Sequence, residues 1–135
     1  MKTLYRKISA VVAFIIGAMA IFAGGQVVLG KIMDYYVIDW LPVYNLIAGL
    51  ISSFLTAVLI WKGSKFAMPA ALGTFVSHSL VMLVLTVAYR GVVASDSIKA
   101  MAVRMVVWLI VLALMFTQEH KNSQQVDDKA DSAFR

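Results

Sequence analysis

The chain of 135 residues is 61% hydrophobic and 14% charged, with a mean hydropathy of +0.86, values outside the range of soluble domains. Its net charge of +5 is spread over short connections rather than gathered with aromatic side chains on one face, which argues against nucleic acid as a partner. With no cysteine, the chain lacks thiol redox chemistry, disulfides, thiolate metal sites and haem attached through Cys.

A hydrocarbon core roughly 30 Å thick demands about 20 helical residues per crossing. Four stretches have that length: residues 8–30, 41–61, 67–89 and 97–117. Lipid offers no partner for a free N–H or C=O, and these runs lack the alternating polarity of a membrane barrel, so each is expected to be helical. The expected fold is all-α, an integral membrane four-helix bundle over residues 1–117 with a polar, disordered tail at 118–135. No room is left for a soluble catalytic domain.

The first span follows Lys2, Arg6 and Lys7 and contains "AMA" at 18–20, the pattern of a cleavable signal peptide. Apolar character continues through "IFAGGQVVLG" to Gly30, longer than the 7 to 15 apolar residues of such a signal, so a retained helix is expected. Ser9, Ala13 and Gly17, then Ala20 and Gly24, supply the small residues at four-residue spacing that let helices approach in lipid. Gln26 is its one strongly polar side chain.

The connection "KIMDYYVIDW" sets Lys31 against Asp34 and Asp39. Tyr35, Tyr36, Trp40 and Tyr44 then surround the start of the second span, and Trp61 ends it, as amphipathic rings do at membrane interfaces. The segment "DYYVIDWLPVYN", with Pro42, Tyr44 and Asn45, is also placed to line an outward-facing cleft. Span two carries two small-residue rows, Gly49, Ser53, Ala57 and Ala48, Ser52, Thr56.

The turn "KGSKF" holds Lys62 and Lys65 without an acid, like the N-terminus. Lys and Arg favour the cytoplasmic side, so both termini are expected there, in a cell membrane and most simply a bacterial inner membrane. In span three, "TFVSHSLVML" places His78 on one face with Thr74 and Ala70, beside Gly73 and Ser77. His78 lies near the midplane by count, and its N–H needs a partner, for which Ser52, Ser53 and Thr56 on span two are the candidates. It is either a hydrogen-bonded core residue or a functional group; one histidine alone makes no metal site, and no cofactor is expected.

The connection "RGVVASDSIK" sets Arg90 and Lys99 against Asp96. Span four, "MAVRMVVWLIVLALMF", is bulky nearly throughout and is expected to face lipid or a partner. Arg104 is its anomaly. About two turns in, roughly 10 Å, it either snorkels outward or enters a polar pocket with Asn45, Tyr44, Asp39 or His78. Trp108, one turn below, is placed to stack on the guanidinium. Such a pocket would suit an anion or a quinone-like carbonyl.

The layout of a basic start, a Gly-rich first span, "LPVYNLIAGLISSFLTAVLIWKGSKFA" and two further spans resembles the small four-helix proteins of the DoxX-like class. The resemblance implies a small membrane subunit and carries over no catalytic residue. Small multidrug-resistance transporters share the four-span layout but place a glutamate in span one, where this chain has no acid. A transporter is the less favoured reading, since Asp34, Asp39 and Asp96 all fall in connections. The sequence therefore predicts a non-catalytic accessory subunit or interaction module, partnered by the bilayer and by another membrane protein or a second copy. The alternative is a binding site around His78, Arg104, Tyr44, Asn45, Ser52, Ser53 and Trp108.

Overall fold

The computed structural model describes residues 2–135; Met1, and the side chain of Lys2 on which the charge argument draws, lie outside the described residues. Among the described residues there is no strand. Four helices follow one another, α1 (Lys2–Val28), α2 (Leu41–Lys62), α3 (Ala67–Val87) and α4 (Ser95–Ala133), each long and apolar enough to cross a membrane. The connections are residues 29–40, 63–66 and 88–94.

The closest packing joins α1 to α2, and glycine permits it. A Cβ added at Gly49 would stand 2.6 Å from the Gly17 carbonyl oxygen and 2.7 Å from the Ile21 nitrogen. One added at Gly24 would strike the Pro42 carbonyl. Gly17 facing Gly49 while Gly24 faces Pro42 makes the pair antiparallel, with small residues admitting backbone to backbone. Two serines tie the seam: Ser52 Oγ donates to Ala13 O at 3.1 Å and Ser53 Oγ donates to Phe14 O at 3.0 Å.

Both serines lie in a π-helical turn, Ile51–Thr56, that interrupts α2. The extra residue of a π-turn advances the following side chains by roughly 100°, the angle of one residue. Ser52, Ser53 and Thr56 are all buried as a result. Gly63 then ends α2 in the left-handed conformation at φ 67°, with its N–H bonded to Ile60 O and that of Ser64 to Leu59 O, the Schellman arrangement.

The expectation that span four faces lipid needs correction. Met101, Arg104, Trp108, Val111, Leu112 and Met115 form a buried stripe at spacings of three and four, while Val103, Val106, Leu109 and Ile110 on the other side are exposed. The tail differs too. The helix runs unbroken past Thr117 to Ala133, because the polar segment contains neither Gly nor Pro and opens no break in the ladder.

Buried apolar side chains form two clusters. One holds Ala13, Ala57, Ala71, Trp108 and Val111, toward the end of the bundle that carries both chain termini; the other holds Ile38, Leu41, Leu85 and Met101, toward the opposite end. Asn45 lies between Leu41 and Ala57, His78 between Ala71 and Leu85, and Arg104 between Met101 and Trp108. The polar residues thus form a layer between two apolar ones.

Candidate functional site

Arg104 is 6% exposed, so it does not snorkel to the surface. Nine residues into α4, it lies roughly 14 Å from Ser95 along the axis. Its Nη1 donates to Asn45 Oδ1 on α2, the one member of the expected set that it bonds. The ion pairs among the described residues are Lys99–Asp96 and Arg135–Asp131, both exposed, so no carboxylate neutralises Arg104. A guanidinium has five N–H donors, and Asn45 occupies one.

The guanidinium lines a cleft of about 80 Å³, together with Tyr35, Pro42, Asn45, Asp96 and Ser97. Tyr35 and Asp96 come from the connecting segments, which places the mouth at the end away from the termini. Pro42 sits in the first turn of α2, where its missing N–H leaves no gap in the ladder, and this start angles Asn45 inward. Of "DYYVIDWLPVYN", which the sequence leaves open between interface anchoring and a cleft, Tyr35, Pro42 and Asn45 line this space. Tyr44, beside Asn45, turns instead toward α3.

There the Tyr44 hydroxyl lies 2.7 Å from His78 Nδ1 and 3.2 Å from Ser77 Oγ, with the two rings edge-on at 5.8 Å. A phenol has one proton to give, so it either donates to Nδ1 while accepting from Ser77, or donates to Ser77 while accepting from an Nδ1–H. Both arrangements engage Nδ1 of a neutral imidazole. Above them Trp40 Nε1 donates to the Tyr89 hydroxyl at 3.0 Å. This second aromatic pair closes the layer at the end of the bundle away from the termini.

Three expected members of the pocket stand elsewhere. Ser52 and Ser53 bond to α1 carbonyls rather than to His78, on the side of α2 where Gly49 packs against Gly17. Trp108 is fully buried in the apolar cluster on the terminal side, and its indole N–H finds no partner. The cation–aromatic contacts among the described residues are Lys7 on Trp61, Lys65 on Phe66 and Lys121 on Tyr5, and Arg104 on Trp108 is not one of them. Among the described residues no three His, Cys, Asp or Glu side chains gather in a metal-holding group.

The site is thus Arg104 and Asn45 on one side of α2 and Tyr44, Ser77 and His78 on the other. Sequence reading placed Ser77 in a packing row and left Tyr35 and Asp96 in connections. Adjacent polar residues at the start of a span, Tyr44 and Asn45, were the available signal. Chemically the arrangement offers a fixed cation and a donor fork at the floor of a cleft, with a neutral hydrogen-bond chain beside it. Compared with protein families, curated proteins and solved structures, the chain has no match.

Proposed function

We propose that this protein is a membrane-embedded binding module without catalytic activity of its own, whose cleft receives a small molecule with an anionic or quinone-like carbonyl head at Arg104. One observation carries the reading: a buried guanidinium faces a cleft with only a neutral amide as its protein partner. A charge in that position is costly unless an acceptor reaches it. The planar fork would grip a carboxylate through two parallel N–H···O bonds, and a carbonyl through one. In this reading Asn45 orients the fork, and Tyr44, His78 and Ser77 hold α3 against α2.

The test is a thermal-shift series on detergent-solubilised protein with small carboxylates and a short-chain benzoquinone as probes. A ligand at one hundred times its Kd stabilises by about 2.7 kcal/mol. That stabilisation should vanish in Arg104→Lys, which keeps the charge and loses the planar fork. If every probe that stabilises the parent stabilises Arg104→Leu equally, the proposal fails.

The accessory-subunit reading has its own support in a groove of about 260 Å³ between α2 and α3. An added Cβ at Gly73 would meet nothing within 4 Å, and Ala70, Thr74 and Ser77 continue the small-residue surface beside it. The orphaned Thr56 hydroxyl belongs to the same groove. Such rows suit a helix of another membrane protein, in line with the DoxX-like layout. Gly73→Leu should then remove a co-purifying subunit; an unchanged set of partners would discard this reading. Cytoplasmic termini in a bacterial inner membrane belong to the same proposal, on the strength of the acid-free basic segments at the N-terminus and in "KGSKF".

A further inference from the structure

A second polar pocket, of about 220 Å³, lies at the end of the bundle that carries both termini. Every helix contributes to its wall. Arg6 comes from α1, Gly63, Ser64 and Lys65 from the turn after α2, Met68 from α3, and Glu119 and Asn122 from α4. The pocket shares no residue with the Arg104 cleft.

Its polar groups are unpaired in a complementary way. Arg6 Nε is sealed from solvent with no acceptor, and Asn122 Oδ1 is sealed with no donor. The Arg6 guanidinium lies over Gly63, near enough that an added Cβ there would come within 2.7 Å of Nη1. Glu119, one turn from Asn122, shares the pocket with Arg6, yet the two form no ion pair. The cations Arg6 and Lys65, and Glu119 with the Asn122 amide, line one space of molecular size.

The occupant that complements these charges is itself dipolar, with an anion for Arg6 and Lys65 and an N–H-bearing cation for Glu119. The depth of the pocket narrows the choice. Lys7 on Trp61, Lys65 on Phe66 and Lys121 on Tyr5 stand at this end of the bundle, and amphipathic and basic groups of this kind settle at the level of lipid headgroups. Ile60, Ala67, Met68 and Met115 supply an apolar wall leading from the polar groups into the bundle.

We propose that this pocket binds a phosphoethanolamine group, carried by a membrane phospholipid. The phosphate meets the Arg6 guanidinium and Lys65, and the primary ammonium donates to the Glu119 carboxylate. Phosphocholine fits the charges but has no N–H to donate to Glu119. A phosphoglycerol head carries no cation for Glu119.

The test is native mass spectrometry of the full chain with phosphatidylethanolamine, phosphatidylcholine and phosphatidylglycerol at equal concentration, paralleled by thermal shifts with soluble phosphoethanolamine and inorganic phosphate. The expected result is one phosphatidylethanolamine retained per chain with at least tenfold preference over the other two. Arg6→Gln should abolish retention, and Glu119→Gln should remove the preference over phosphatidylcholine while lipid still binds. Helicity by circular dichroism checks each variant. Should Arg6→Gln fail to fold, the selectivity of Glu119→Gln decides alone. Equal retention of the three lipids by the parent, or selectivity unchanged in Glu119→Gln, overturns the proposal. Stabilisation by soluble phosphoethanolamine without retention of the lipid overturns the lipid as its source, and stabilisation by phosphate alone overturns the role of the ammonium.

Discussion

Gly49→Ala and Gly73→Ala make the same chemical change at two helix positions with opposite surroundings. At Gly49 the new Cβ would lie 2.6 Å from a backbone oxygen, against 3.4 Å for ordinary contact, so α1 and α2 must part by about 0.8 Å. The Ser52 and Ser53 bonds, now 3.1 and 3.0 Å, would then stretch beyond hydrogen-bond range. Two interhelical hydrogen bonds at about 0.6 kcal/mol each, added to the loosened packing of the seam, put the loss at about 2 to 3 kcal/mol. Alanine's better helix propensity returns at most about 1 kcal/mol, leaving a net loss of about 1 to 2 kcal/mol. Gly73→Ala meets nothing within 4 Å and keeps only the propensity term, so it should be neutral or stabilising. Unfolding in mixed micelles, followed by helical circular dichroism, measures both. If Gly49→Ala proves as stable as Gly73→Ala, the backbone contact between α1 and α2 is not what holds them together.

Tyr44→Phe removes the phenol that His78 and Ser77 share and should cost about 0.6 to 2 kcal/mol in the same titration, and His78→Leu should cost a similar amount. His78→Gln keeps a donor and an acceptor and should cost less; equal losses for Gln and Leu would refute the hydrogen-bond account. Topology is open to cysteine labelling because the chain has no cysteine of its own. In intact cells an impermeant maleimide should label Ile32→Cys, at a position 93% exposed, and leave Ser132→Cys unlabelled until lysis; the reverse pattern would place the termini outside. Every side chain from Ser123 onward is exposed, so deleting residues 124–135 should change stability by less than about 0.5 kcal/mol, measured by the same unfolding curve.

The spans were legible because lipid imposes a length that hydropathy can count, and Leu41 and Ala67 mark helix starts in both sequence and structure. His78, Asn45 and Arg104 share a layer, whereas the sequence left Arg104 open between a snorkelling position and a pocket. Direction around each helix was not legible. The assignment of Ser52 and Ser53 to His78 matched depth and not direction: Gly49 packs on Gly17, and Ser53 four residues later shares that α1-facing side. Nothing in "ISSFLT" announces the π-turn at Ile51–Thr56. Tyr44 was read both as an interface ring and as a candidate pocket member, and its hydroxyl reaches inward to His78. The end of α4 was missed for a different reason, since hydropathy reports where the membrane stops and a helix without Gly or Pro can continue beyond it.

The seam between α1 and α2 also bears on the order in which the chain assembles. The close approach of these two helices at Gly17, Gly24 and Gly49 and the two serine bonds lie within the first half of the sequence. A chain synthesised from its N-terminus has this hairpin available before Arg104 exists. Asn45 is by then anchored, one turn from the Pro42 that touches Gly24. A lone arginine at the centre of a crossing helix costs about 2.5 to 3.5 kcal/mol to insert, and α4 delivers its guanidinium to an acceptor that earlier-made parts of the protein already hold in position.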